Sequence, residues 1–352
     1  MFISSYLKHL LLLFSTLLLS LSLSNCAWIK PYVPDDNSQE YLKSNESELP
    51  GKYYQVSIST PDINTYLSSA EYRVWIPEGI ERVRGIIIKQ HGCGADAANS
   101  GLDNANDLQW QAIAAKHQFA LMGTKLITQS EKRSCGYWYT PAWASKDALF
   151  QALDSVAKQS KRLELNQVPW VLWGHSAGSV WSSAMLQEHP ERTIAMVAIR
   201  SGGILFLGTN PSLIDTPVLF SLGENEDVMP KYTFELPQKI FRRYRKSGAL
   251  WTLAIEPNTG HEIGNSSQLA IPYIDAVINA RLAKNSNELL PIDRDGGWLA
   301  DNAKHTIASL DEYKGNPQEA SWLPNREIAQ KWQEYVTTGK VSLNNKSQNF
   351  IY

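Results

Sequence analysis

The sequence is poor in cysteine and carries almost no net charge. Only three cysteines occur in 352 residues, which excludes a small scaffold held together mainly by disulfides. Lys and Arg number 33 against 35 Asp and Glu, interspersed along the chain, so we expect no nucleic-acid partner. Spacings typical of metal ligands, such as His-x-x-x-His or paired cysteines, are lacking, so we expect no metal and no cofactor.

Long apolar runs are equally scarce, and the one near the start of the chain indicates a targeting segment. It extends from Leu10 to Leu23, follows two basic side chains and is short for a stable membrane span. Cys26 comes three residues later, in an arrangement that resembles the lipobox of bacterial lipoproteins. The resemblance implies export, acylation of Cys26 and, because Ala27 rather than Asp follows it, an outer-membrane lipid anchor. The alternative is an ordinary cleaved signal peptide.

If Cys26 is acylated, Cys93 and Cys135 remain as an even pair in an oxidising compartment. We therefore predict a disulfide between Cys93 and Cys135. Closing a loop of about forty residues would stabilise the fold by about 4 kcal/mol in the loop-entropy model. The alternative is a pair of unpaired, buried thiols.

Four segments differ in composition and pattern. Residues 1–25 are the predicted signal peptide, and residues 26–50, with several prolines and many polar side chains, are a predicted tether. Residues 51–284 alternate β-branched runs with helical patterns, which indicates one α/β domain. Residues 285–352 form an extension whose tryptophans favour packing against that domain.

Eight strands are predicted in the main domain. They are Gln55 to Ser59, Tyr72 to Ile76, Gly85 to Gln90, Phe119 to Leu126, Pro169 to Trp173, Thr193 to Ile199, Pro217 to Leu222 and Leu250 to Ile255. Several are continuous apolar runs, as expected for strands covered on both faces. With an antiparallel first pair and intervening helices such as Ser145 to Ser160, this layout resembles the α/β-hydrolase fold. The resemblance implies a mostly parallel eight-stranded sheet with helices on both faces.

The pentapeptide from Gly174 to Gly178, with Ser176 at its centre, follows the fifth predicted strand and precedes a helical pattern. A G-x-S-x-G motif in that position is typical of a nucleophile elbow, in which the serine occupies a strained turn. The flanking glycines are required because side chains there would collide. We therefore predict that Ser176 is a nucleophile.

A serine nucleophile needs a base and an orienting carboxylate, which follow it in the order acid, then histidine, in this fold. His261 comes directly after the last predicted strand and is the predicted base, with His305 in the extension as its rival. The loop after the seventh strand contains three acids, of which Glu224 is expected to be an exposed loop carboxylate and the other two are candidates. In related hydrolases this loop commonly reads Gly-x-x-Asp, and that resemblance aligns Glu226 with the acid. The more usual side-chain type favours Asp227, so both stay candidates.

Acyl transfer also needs two N–H donors for the developing oxyanion. Ala177 follows the predicted nucleophile. Cys93 lies in the His-Gly-Cys-Gly stretch after the third strand, residues 91–94, which is the expected oxyanion loop. Together with the segment Ser134 to Tyr139, this stretch resembles poly(3-hydroxybutyrate) depolymerase-like and feruloyl-esterase-like hydrolases. The resemblance implies that a Cys93–Cys135 disulfide ties the oxyanion loop to an aromatic wall. Four aromatic side chains are then either pocket or core: Tyr137, Trp138, Tyr139 and Trp143.

These observations predict a serine hydrolase that cleaves small or polymeric carboxylic esters through an acyl-enzyme intermediate. Two alternatives stay open at this point. One is a serine peptidase of the same fold. The other is a non-catalytic, surface-anchored binding protein that retains the scaffold, since a fold does not determine a function.

Overall fold

The computed structural model describes residues 49–129, 135–201 and 211–342, without the side chains at positions 143 and 211. The predicted signal peptide, Cys26 and nearly all of the predicted tether therefore lie outside the described residues, and the export and lipid-anchor assignments stay predictions. Within the described ranges, no helix combines the length and apolar character needed to cross a membrane.

The centre of the fold is an eight-stranded sheet with the spatial order β1-β2-β4-β3-β5-β6-β7-β8. The strands are β1 Gly51–Ser57, β2 Leu67–Pro77, β3 Gly85–Gln90, β4 Phe119–Thr128, β5 Trp170–His175, β6 Thr193–Ile199, β7 Val218–Gly223 and β8 Trp251–Glu256. Strand β2 pairs antiparallel with β1 and β4, and all other pairs are parallel. This confirms the predicted α/β-hydrolase fold.

The predicted strands are all present, but six of the eight differ from the prediction at one or both ends. Strands β3 and β6 begin and end at the predicted residues, and every residue of both strands is buried. Strand β2 is longer, since it forms an antiparallel ribbon with β1 in which Gly51 pairs with Pro77. Because polar side chains occupy the open face of this ribbon, a prediction based on apolar residues underestimates the length of β2.

Nine α-helices connect and cover the strands within the described ranges. They are α1 Pro61–Tyr66, α2 Ala95–Asn99, α3 Leu108–His117, α4 Gly136–Tyr139, α5 Lys146–Ser160, α6 Ala177–Glu188, α7 Leu236–Lys246, α8 Ser266–Arg281 and α9 Arg326–Thr338. Short 3₁₀ turns occur at Gly101–Asn106, Leu163–Asn166 and Pro211–Ile214, and π turns at Pro141–Ser145 and Lys231–Glu235.

Alternate residues of the parallel strands enter two separate cores, one on each face of the sheet. In β3, Ile86 and Ile88 pack with helices α1, α5, α6 and α7, whereas Ile87 packs with α3, α8 and α9. Helix α5 buries the apolar stripe that its sequence predicts, including Leu149 and Val156. Helices therefore cover both faces, and the carboxyl ends of the strands carry the connecting loops.

The extension continues the same compact unit. Three short antiparallel strands, β9 Trp298–Ala300, β10 Ile307–Ser309 and β11 Ser321–Leu323, form a small sheet that the sequence did not predict. Three-residue strands are too short to show an alternating pattern. Contacts with the edge strand β8 hold the extension in place: Thr252 Oγ1 donates to the carbonyl oxygen of Trp322, and Trp332 Nε1 donates to that of Leu253 at 2.7 Å.

Candidate active site

Ser176 is the single residue between the end of β5 at His175 and the start of α6 at Ala177. Its backbone angles, φ 52° and ψ −119°, lie in a region that side chains with a Cβ rarely occupy. The strain is maintained because the Ser176 N–H donates to the carbonyl oxygen of Ile199 at 2.9 Å. The predicted elbow is therefore present.

Glycines surround the elbow because neighbouring backbone atoms leave no room for a side chain. A Cβ at position 174 would lie 2.2 Å from the carbonyl carbon of Gly178, and one at Gly178 would lie 2.3 Å from the carbonyl oxygen of Gln90. A Cβ at Gly92 would lie 2.9 Å from His175 Nδ1 and 3.5 Å from Ser176 Cβ. The oxyanion loop therefore packs directly against the elbow.

Ser176, His261 and Glu226 form a continuous hydrogen-bonded set. His261 Nε2 lies 2.9 Å from Ser176 Oγ, and His261 Nδ1 lies 2.8 Å from Glu226 Oε2. The Glu226 side chain is only 1% exposed, and its Oε1 accepts the N–H of Val228 at 2.9 Å. With both oxygens engaged, the carboxylate holds the imidazole with Nδ1–H toward the acid and Nε2 toward the serine.

The two rival residues lie elsewhere. Asp227 is exposed, although it directly follows Glu226. His305 packs edge-on against Trp332, with ring centroids 6.1 Å apart, and its carbonyl oxygen accepts from Gln333 Nε2. The position of Glu226 in its loop, rather than the usual preference for aspartate, identifies the acid that contacts His261.

The two predicted oxyanion donors lie on the helix that follows the serine and on the loop that packs against the elbow. Ala177 is the first residue of α6, so its N–H has no acceptor within the helix and lies at the positive end of the helix dipole. Cys93 follows Gly92, whose backbone packs on the elbow, and forms a disulfide with Cys135, with Cα atoms 5.4 Å apart. Since Cys135 immediately precedes α4, the disulfide ties the oxyanion loop to the aromatic segment.

His91 is a structural member of the site that the sequence did not assign. Its Nε2 accepts the N–H of Leu126 at 2.9 Å, while its Nδ1 donates to the carbonyl oxygen of Gly92 at 2.6 Å. Burial lowers the pKa of His91 to about 4. The neutral ring therefore holds the loop that carries Cys93. The sequence signal for this role is that His91 directly follows the buried strand β3.

The buried His91 predicts a pH-dependent stability. Its pKa is about 4 in the fold against 6.5 when unperturbed, so below pH 6.5 the unfolded chain binds a proton that the fold excludes. The free energy of unfolding should then fall between pH 6.5 and pH 4 by up to about 1.4 kcal/mol per pH unit. Urea unfolding at a series of pH values measures this dependence. The free energy of unfolding should change less steeply with pH in His91→Gln, whose amide oxygen can still accept the N–H of Leu126. Equal slopes in both proteins would contradict the assignment.

His175, the last residue of β5, contacts the loop that carries His261. Its Nε2 donates to the carbonyl oxygen of His261 at 2.9 Å. Removal from bulk water, together with the neighbouring His261 and Arg200, lowers the pKa of His175 to about 3. The ring is therefore a neutral donor that fixes the backbone of His261.

The aromatic segment is partly core and partly accessible. Trp138 is 2% exposed and packs against His91, with ring centroids 4.8 Å apart, so it belongs to the core. Tyr137 is half-buried and meets Tyr66 edge-on at 5.4 Å. Tyr139 is also half-buried, and burial raises its pKa. The side chain of Trp143 lies outside the described residues.

No group of three or more His, Cys, Asp or Glu side chains in the described part of the chain is arranged to hold a metal ion. Around Ser176 lie a serine hydroxyl, an imidazole within hydrogen-bond distance of it and the backbone N–H of Ala177. Groups of these kinds are able to carry out acyl transfer.

Comparison with known proteins gives distant structural likenesses. No protein-family model and no curated protein sequence matches the chain. The fold is similar to that of a ferulic acid esterase, at 10% identity and a TM-score of 0.48, with 65% of this chain and 99% of that one covered. It is also similar to an S-formylglutathione hydrolase from Agrobacterium tumefaciens, at 13% identity and a TM-score of 0.47, covering 67% and 96%.

A further likeness is to a fluorophosphonate-binding serine hydrolase of Staphylococcus aureus, at 11% identity and a TM-score of 0.46, with 65% and 99% covered. The class that the strand order and the elbow define is the α/β-hydrolase fold with Ser176, His261 and Glu226 in contact.

Proposed function

We propose that this protein is a serine hydrolase that cleaves carboxylic esters through an acyl-enzyme intermediate. The observation that carries the proposal is the hydrogen-bonded set in which His261 lies 2.9 Å from Ser176 Oγ and 2.8 Å from Glu226. A strained serine at a helix N-terminus, paired with a histidine that a buried carboxylate orients, is the arrangement that activates a hydroxyl as a nucleophile.

The reaction follows from the roles of these groups. Ser176 Oγ attacks the ester carbonyl carbon while His261 Nε2 takes the hydroxyl proton, and Glu226 stabilises the imidazolium through Nδ1–H. The backbone N–H groups of Ala177 and Cys93 stabilise the oxyanion. His261 then gives the proton to the departing alkoxide. Water attacks the acyl-enzyme with His261 again as base, which releases the acid and restores Ser176.

An active-site-directed fluorophosphonate probe tests the proposal without knowledge of the natural substrate. The wild-type protein should be labelled covalently, and Ser176→Ala should not be. Ser68→Ala, which removes an exposed hydroxyl in β2, is the matched control and should be labelled like the wild type.

A folded wild-type protein that resists the probe would overturn the proposal and favour the non-catalytic binding protein. Persistent labelling of Ser176→Ala would show that another residue is the nucleophile. A panel of p-nitrophenyl esters of increasing acyl size, run beside matched p-nitroanilides, separates the esterase from the peptidase alternative. We expect turnover of the esters and little or none of the anilides.

A further inference from the structure

A buried ion pair lies beneath the loop that carries His261. Arg200, directly after β6, is fully buried, and Glu256, the last residue of β8, is 1% exposed. Arg200 Nη2 donates to Glu256 Oε2. Burying such a pair is costly unless further hydrogen bonds satisfy both groups, and replacing it by apolar side chains is often neutral for stability. The role of the ion pair is therefore inferred from the groups that it hydrogen-bonds.

Those partners are backbone atoms of the histidine loop. Arg200 Nε donates to the carbonyl oxygen of Glu262 at 2.9 Å. Glu256 Oε1 accepts the N–H of Asn265 at 2.9 Å. Gly264 lies between Glu262 and Asn265 in the chain and has a φ of 58°. A Cβ at this position would approach Glu256 Oε2 to 2.7 Å. The ion pair is therefore hydrogen-bonded to the loop backbone at two positions within four residues of His261.

The remaining hydrogen bonds reach the C-terminal extension. Tyr335 in α9 is fully buried, and its hydroxyl donates to Glu256 Oε2 at 2.7 Å. Ser221 Oγ lies 3.0 Å from the same hydroxyl and accepts from Arg200 Nη1 at 3.1 Å. Burial raises the pKa of Tyr335, so the phenol keeps its proton and stays a donor. Every polar group of this cluster thus has a partner.

We propose that Arg200, Glu256 and Tyr335 are positioning residues for His261, so that the C-terminal extension completes the active site of the proposed hydrolase. The inference rests on the proposed function. Its physical reason is that Ser176, His261 and Glu226 come from three different loops, and a displacement of about 1 Å between reacting groups can lower a rate by up to about 100-fold. The buried cluster fixes the loop that carries the imidazole.

Tyr335→Phe removes a single hydroxyl from this cluster and keeps the apolar volume. We expect kcat for a p-nitrophenyl ester, normalised to titrated active sites, to fall about tenfold while KM stays within about twofold. The rate of fluorophosphonate labelling should fall by the same factor. Tyr72→Phe is the matched control, since its buried hydroxyl has no hydrogen-bond partner in the described structure, and it should keep the wild-type rates.

Arg200→Lys supplies a second variant that keeps the buried charge but lacks the planar fork that reaches Glu262 and Ser221 together. It should show the same loss of kcat at unchanged KM, in protein that unfolds cooperatively. A merely structural role would lower the unfolding temperature of either variant and leave the rates per titrated site unchanged.

The outcomes separate the two proposals. A labelled wild type with Tyr335→Phe and Arg200→Lys both within twofold of the wild-type rates would overturn the positioning role alone. A loss confined to KM would also overturn it. A folded wild type that is not labelled would overturn the proposed function together with this inference.

Discussion

Glu226→Gln should lower kcat for ester hydrolysis by about 10⁴-fold, whereas Asp227→Asn should leave it nearly unchanged. The amide of glutamine no longer stabilises the imidazolium that forms on His261, and its NH₂ group, turned toward Nδ1, would favour the wrong tautomer. Asp227 is exposed on the same loop, so its charge is in water and contributes little to the site. Initial rates on a p-nitrophenyl ester measure both effects.

The pair of variants is its own control, because each replaces a carboxylate by an amide of nearly equal size at adjacent positions. Both should fold, which urea unfolding checks independently of activity. A large loss in Asp227→Asn with an active Glu226→Gln would mean that Asp227, the residue favoured by side-chain type, orients the imidazole during the reaction.

Gly178→Ala should destabilise the fold by about 3 kcal/mol and also reduce kcat. The new Cβ would lie 2.3 Å from the carbonyl oxygen of Gln90 and 2.6 Å from that of His91. Both contacts are with backbone atoms, which cannot rotate away as a flexible side chain can. The oxyanion loop would have to move, so the N–H of Cys93 would move with it. Urea unfolding and ester hydrolysis measure the two consequences separately.

Gly136→Ala is the matched control, since the nearest atom to its new Cβ would be the Tyr139 hydroxyl at 3.8 Å, an ordinary van der Waals contact. Its free energy of unfolding should stay within about 0.5 kcal/mol of the wild type. A Gly178→Ala variant as stable as the wild type would contradict the close packing of the elbow against the end of β3.

Features that depend on short stretches of chain were predictable. The buried strands β3 and β6 were correct to the residue, because each contains an uninterrupted apolar stretch, from Ile86 to Ile88 in β3 and from Ile194 to Ile199 in β6, and such stretches mark strands covered on both faces. The elbow was also predictable, since a strand, a small-residue turn and a helix follow one another within a few residues around Ser176. The ribbon formed by β1 and β2 was underestimated because half of its side chains face water.

Sequence order alone determined that a serine, an acid and a histidine would follow the fifth, seventh and eighth strands of an α/β sheet. Tertiary structure decided which acid contacts His261, because Glu226 and Asp227 are neighbours in the chain and only the folded loop buries the side chain of Glu226 against His261 and leaves Asp227 exposed. It also decided the contacts of Tyr335. That residue lies 79 positions from Glu256 along the chain, and only the packing of α9 against β8 brings the two together.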